Sequence, residues 1–167
     1  MDVALAIARL VPNAIYKGSL TDNTRAAFYG LVWEDERPRP TWTDLELAAG
    51  PTADDLRAAV AAERYRRETA GIAWQGFGIA TDRESQQKMS DERNAVKDGL
   101  RADGKGWKCL DLATGVTVFR PTSNAEILDL AATAYRYVSD CFAREEELLA
   151  AIAAGTFSED QLEIGWP

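Results

Sequence analysis

Gly71-Ile72-Ala73-Trp74-Gln75-Gly76-Phe77-Gly78-Ile79-Ala80-Thr81-Asp82-Arg83-Glu84-Ser85-Gln86 is the stretch whose reading decides the fold. Ile72 and Trp74 alternate with Ala73 and Gln75, which is the period of a half-buried strand. Gly76-Phe77-Gly78 supplies a glycine-bracketed turn, and Ile79 continues the return strand. Thr81-Asp82-Arg83-Glu84 matches a capping box, so Thr81 is expected to start a helix ending near Gly99. Met89, Ala95, Val96 and Leu100 are its apolar anchors. A hairpin that launches a capped helix is the signature of an α+β fold.

Downstream, Gly104-Lys105-Gly106 precedes a second expected hairpin. Its strands are Trp107–Asp111 and Val116–Phe119, and Pro121 ends it. Ser123-Asn124-Ala125-Glu126 is another capping box. The helix it opens runs to about Ala154, roughly 43 Å at 1.5 Å per residue. Leu128, Tyr135, Phe142 and Leu149 recur on it every seven residues. Ala131, Val138, Glu145 and Ile152 form the complementary register, which Glu145 interrupts. Ile127, Ala134, Cys141 and Leu148 widen the stripe. Two uses of this stripe stay open: packing against the 82–99 helix and the hairpins, or a seam with a second chain.

Upstream, Thr52-Ala53-Asp54-Asp55 caps an alanine-rich helix running to about Thr69. Gly50-Pro51 punctuates the chain before it. Residues 27–33 read as a strand, being rich in aromatic and β-branched types. Thr41-Trp42-Thr43-Asp44 caps a short helix to about Ala48. Leu5, Leu10 and Val11 suggest a first helix stopped by Pro12. The expected organisation is an N-terminal adaptor segment (1–50), a connecting helix (51–70), a hairpin–helix–hairpin–long helix module (71–155) and a tail (156–167). Small hairpins thus pack on a helical module with one long C-terminal amphipathic helix.

The formal charge is −8, which argues against a nucleic-acid partner. The arginines at 64, 66 and 67 sit on a helix beside Glu63 and Glu68 and read as a solvated helix face. No run approaches the ~20 apolar residues of a membrane span. The opening Met1–Leu10 lacks a basic n-region and reads as mature sequence. Cys109 and Cys141 match no metal or thiol-redox spacing and read as free thiols. The chain has no histidine, so the usual base for a Ser or Cys nucleophile is missing. The glycines form no phosphate cradle. No catalytic, cofactor or metal residue is expected, and the expectation is a protein that holds other proteins and is not an enzyme.

The expected interface residues fall in two groups. Phe28, Tyr29, Trp33 and Trp42 flank the proline-rich acidic connector, where large aromatics suit an anchor; capping the chain's own core is the alternative. Leu128, Tyr135, Val138, Phe142, Leu149 and Ile152 lie on the long helix.

From about Tyr65 to Gly155 the chain resembles an uncharacterised C-terminal domain family of tailed-phage tail and tail-fibre-associated proteins. The residues that carry this are Gly71-Ile72-Ala73-Trp74, Gly76, Thr81-Asp82-Arg83-Glu84-Ser85-Gln86, Trp107-Lys108, Phe142-Ala143-Arg144-Glu145 and Ala151-Ile152. Arg39-Pro40-Thr41-Trp42 resembles the connection that often precedes it. The resemblance implies a bacteriophage protein, made in the host cytoplasm and placed in the virion tail at a fibre, hub or baseplate junction. Its implied partners are tail or tail-fibre proteins, with a homo-oligomer possible. A tail-fibre assembly factor absent from the mature virion is the alternative, and a carboxylate-dependent glycan hydrolase is a remote one. The loop from Arg101 to Gly106 and the acidic connector depart from the family pattern.

Overall fold

The computed structural model describes residues 1–167. The chain forms two compact units, Met1–Thr52 and Ala53–Pro167.

The first unit contains α1 (Val3–Leu10), β1 (Tyr16–Lys17), α2 (Arg25–Tyr29), β2 (Val32–Trp33) and α3 (Trp42–Ala49). β1 and β2 pair antiparallel, with Tyr16 opposite Trp33. The expected strand over 27–33 is corrected here: its first half is helix and only Val32–Trp33 is strand. Thr24 decides this, because its hydroxyl accepts from the Ala27 N–H at 3.1 Å and nucleates a helical turn. Phe28 therefore points into the core with Val3, Ile7, Leu31 and Leu45. α3 starts at the expected cap, with Thr41 and Asp44 bonding reciprocally.

The second unit contains α4 (Ala53–Glu68), β3 (Ile72–Trp74), β4 (Phe77–Ile79), α5 (Arg83–Lys97), β5 (Gly106–Asp111), β6 (Val116–Pro121), α6 (Asn124–Ala154) and a closing 3-10 turn (Glu159–Leu162). The four strands form an antiparallel meander in the order β3-β4-β5-β6. The mixed α+β architecture expected from the sequence is what the chain adopts: small hairpins against helices, with a 31-residue C-terminal helix.

The first hairpin turns at Gln75-Gly76, one residue earlier than the glycine bracket suggested. Both residues have positive φ, +51° and +82°, which a two-residue primed turn demands. Phe77 is thereby released into β4. Gly71, at φ +93°, admits no side chain, since a Cβ there would stand 2.9 Å from the Ile79 carbonyl oxygen.

Every side chain of the Thr81–Gln86 run makes a local tie. Thr81 is fully buried, and its hydroxyl accepts from the Gly71 N–H at 2.9 Å. The Gln86 amide donates to the Thr81 carbonyl at 2.6 Å. Asp82, one position after the expected cap, accepts from the Ser85 N–H and hydroxyl. Glu84 pairs with Lys88, and Arg83 reaches back to Glu68 on α4.

Glu68 has no exposed surface. One of its carboxylate oxygens lies 2.7 Å from Arg64 and the other 2.8 Å from Arg83. The N–H directions miss hydrogen-bond alignment, so both contacts act as close ion pairs. Arg64 also contacts Glu145 of α6 at 3.2 Å. One buried carboxylate thus links α4 with α5 directly and with α6 through Arg64.

α6 is long because it serves two cores. Its first half packs Ile127, Leu130 and Ala134 against Trp74, Ile79, Cys109 and Met89. Its second half packs Leu148 and Ile152 against Val60 of α4, with Phe157, Leu162 and Trp166 of the tail closing over them. The Arg144 guanidinium holds that tail through the Gln161 and Ile164 carbonyls.

Replacing Glu68 by Gln keeps its volume and removes its charge. The urea midpoint should fall by the equivalent of about 3 kcal/mol at unchanged slope, as for other buried pairs that lose one partner. A loss below about 1 kcal/mol would show that the pair does not hold the joint. A second expectation concerns acid. Asp44, Asp82 and Glu126 are held below their usual pKa by cap hydrogen bonds, and Glu63 and Glu92 by hydrogen bonds from Arg66 and Lys105. A carboxylate with depressed folded pKa stabilises above its unfolded pKa, here 3.8 for Asp and 4.5 for Glu. Stability measured by denaturation should be flat from roughly pH 5 to 8 and decline steadily below that range.

Candidate interaction surfaces

The aromatic residues of the first unit divide between core and surface. Phe28 is fully buried, and Trp42 packs on it with ring centres 6.1 Å apart. Trp33 stacks on Tyr16 at the same separation, with an interplanar angle of 10°. Both indoles are satisfied internally: Trp33 donates to the Arg37 carbonyl at 2.9 Å and Trp42 to Glu46 at 2.6 Å. The Arg39 guanidinium lies over the Phe28 and Tyr29 rings and donates to the Phe28 carbonyl. Of the four proposed anchors, Tyr29 is the one left largely exposed, while Trp33 and Trp42 are half-buried. Ile15 and Val32, on the outer side of the β1–β2 pair, are exposed as well. Alternation within the pair would have shown Val32 on the face opposite Trp33.

On α6 the seven-residue recurrence occurs twice, one position out of phase. Ile127, Ala134, Cys141 and Leu148 are buried. Leu128, Tyr135 and Phe142, each one residue later, are exposed at 38%, 74% and 42%. Of the expected seam, Leu149 and Ile152 are absorbed into the α4–α6 core, Ile152 being buried there. Phe142 is roofed on one side by the Arg64 guanidinium, 4.5 Å from the ring centre. Val138 is half-buried and joins Tyr135 in a groove of about 590 Å³ between α5 and α6. Met89, Arg93, Ala131 and Ala132 complete its walls. Small residues on α6 leave this groove open, and Tyr135 stands at its rim.

The meander has a bare outer face. The inner row, Trp74, Phe77, Ile79, Cys109 and Val118, meets the helices. Across the sheet Ala73, Gly78, Leu110 and Thr117 align in one outward row, followed by Lys108 opposite Phe119. Leu110, Leu112 and Phe119 are exposed there. Sequence reading assigned these residues only to a hairpin, although the alternation of Lys108 and Leu110 with Trp107 and Cys109 carried the signal.

Each carboxylate with a resolved pKa shift is shifted down, Asp35 by Arg37 and the rest by caps and ion pairs. Burial pushes the Cys141 thiol up, and the nearby Glu68 carboxylate adds to this. Burial likewise raises Tyr137, whose hydroxyl donates to the Arg67 carbonyl at 2.7 Å. No group of three or more His, Cys, Asp or Glu side chains is gathered as a metal site. No helix is long and apolar enough to cross a membrane.

A family model described as Domain of unknown function (DUF4376) matches residues 51–164. The chain belongs to the DUF4376 family. That match spans α4 through the C-terminal turn, so the joint around Glu68 and Thr81, the meander and α6 are all DUF4376 structure. The family resemblance traced in the sequence over Tyr65–Gly155 lies within it. No match exists among curated proteins or solved structures.

Both cysteines are free and buried, and the Cys141 thiol is stabilised in its neutral form. A group with raised folded pKa stabilises below its unfolded value, here 9.0, and this contribution is lost as pH rises beyond it. Native protein at pH 8 should therefore react negligibly with a thiol reagent over minutes. Two thiols per chain should appear after denaturation. Rapid native labelling of Cys141 would contradict this burial.

Proposed function

We propose that this chain is an accessory structural protein of a bacteriophage tail, attaching one protein to another at a fibre, hub or baseplate junction and remaining in the virion. On this reading it is not an enzyme. The observation that carries the proposal is the division of labour within the DUF4376 unit. The run Thr81–Gln86, which bears much of the resemblance to tail-associated proteins, is consumed by a structural joint. Apolar side chains remain exposed beside it: Leu128 and Tyr135 on α6, and Leu110 and Phe119 on the sheet. Clustered exposed apolar side chains rimmed by polar residues are the chemistry of protein contact.

The acid chemistry supports the same reading. A glycan hydrolase needs one carboxyl with raised pKa opposite an ionised one. The resolved carboxylate shifts here all run downward and arise from caps and ion pairs. Exposed Tyr29, Val32 and Ile15 give the first unit a second surface for attachment.

Mass spectrometry of purified particles tests the assignment. Stoichiometric recovery is expected. Strong expression in infected cells with absence from particles would replace it with the assembly-factor reading. Changing Leu128 and Tyr135 to Asp should leave the urea midpoint within about 0.5 kcal/mol, as for other exposed sites. The same double variant should lower incorporation into particles at least tenfold. Unchanged incorporation would remove α6 from the attachment surface.

A further inference from the structure

β4 and β5 begin as a pair and then part. Phe77 stands opposite Asp111 and Gly78 opposite Leu110, and the pairing goes no further. The phase of the ladder shows what this leaves open. The Thr122 N–H donates to the Lys105 carbonyl, so Lys105, Trp107, Cys109 and Asp111 turn their backbone groups toward β6. Pro121, which lacks an N–H, fits this phase by lying opposite Gly106. On the other edge the Leu112 N–H donates to the Gly76 carbonyl, and Leu110 pairs with Gly78. The next outward-turned residues, Lys108 and Gly106, have no strand beside them. Ala80, which would face Lys108 if β4 continued, takes no backbone hydrogen bond.

The parting is fixed from both sides. On one side Thr81 is pinned to Gly71 and Gln86, which turns the chain into α5. On the other, the buried Arg101 guanidinium donates to the Lys105 and Thr122 carbonyls and to Asn124, while its Nε donates to Glu92. Neither strand can slide to close the gap without breaking its joint. The result is a cleft of about 980 Å³ with the β5 edge as one wall and Ser85, Lys88 and Asp91 of α5 as the other. That volume is at the upper end of the range of ligand sites. It opens onto the bare row of Ala73, Gly78 and Leu110.

We infer that this cleft receives an extended segment of a second polypeptide, which adds as a strand along β5 at Lys108 and Gly106. Unpaired donors and acceptors at strand spacing are the chemistry that recognises a main chain. Gly106 to Cys109 spans roughly 10 Å, room for about three to four partner residues. The outward side chains of that segment meet Leu110 and Ala73 and are apolar. One carries a carboxylate, because Lys108 enters no ion pair, whereas Lys88 is paired with Glu84 and Lys105 with Glu92. Self-pairing of two copies about Lys108 is disfavoured, since it sets two ammonium groups opposite each other. This inference rests on the protein-binding part of the proposed function and is independent of the tail assignment.

The test selects binders from random eight-residue peptides displayed on yeast, using the full chain as bait. Selected sequences should alternate apolar residues with an acidic one. Lys108→Pro removes one N–H that β6 does not use, and should weaken the selected peptides at least thirtyfold with the circular dichroism unchanged. Lys108→Glu should weaken them at least fivefold. Hydrogen exchange on the unmodified chain is the second measurement, should Lys108→Pro misfold. The Lys108 amide should exchange fast when free and slowly with a selected peptide bound, while Cys109 stays slow throughout. Peptides that bind without protecting Lys108 would overturn the cleft and leave protein binding standing. Failure to select any peptide, or a Lys108 amide already slow in the free chain, would also overturn it.

Discussion

The second unit depends on one buried carboxylate. Glu68 ends α4 in a place without solvent, between Arg64 of its own helix and Arg83 of α5. A charge so placed is costly unless both partners stay where they are. It therefore restricts how α4 meets the start of α5, and through the Arg64–Glu145 contact it reaches α6. Gly71 and Thr81 continue the same joint, because the Gly71 N–H has no helix or strand partner and takes the Thr81 hydroxyl instead. The compact run from Gly71 to Gln86 is thus a hinge region made rigid.

A rigid joint on one side of the meander and the Arg101 clamp on the other leave the sheet incomplete between them. Here the strand that would continue is diverted into α5, and the loop that returns is anchored by five hydrogen bonds of a single guanidinium, the Ala102 carbonyl included. Stability and an open binding edge have the same origin, so the edge does not rely on mobility.

In the first unit the aromatic residues do two jobs. Phe28 joins Val3, Ile7, Leu31 and Leu45 in the core, and Trp42 and Trp33 pack against it, with Arg39 laid across the Phe28 and Tyr29 rings. Tyr29 is left at the border of that stack. Of the four aromatics expected as anchors, Phe28 lies in that core, Trp33 and Trp42 pack against it half-buried, and Tyr29 stands at its rim.

Local signals in the sequence determined most of the helices and several of their starts. Thr41 with Asp44 and Ser123 with Glu126 cap the helices they were expected to cap, since such caps are closed by residues three apart and need nothing distant. The α+β class, both hairpins of the second unit and the long helix followed from period and punctuation. Composition misled at Ala27–Tyr29, where aromatic content suggested a strand and the Thr24 cap made a helix. Tertiary structure alone decided the rest. A seven-residue repeat on α6 exists in two adjacent phases, and only packing against α4, α5 and the sheet chose the Ile127 phase as core and left Leu128, Tyr135 and Phe142 of the other phase outside. The burial of Glu68 and the opening beside Lys108 were invisible in the chain, because each arises where segments distant in sequence are brought together and held.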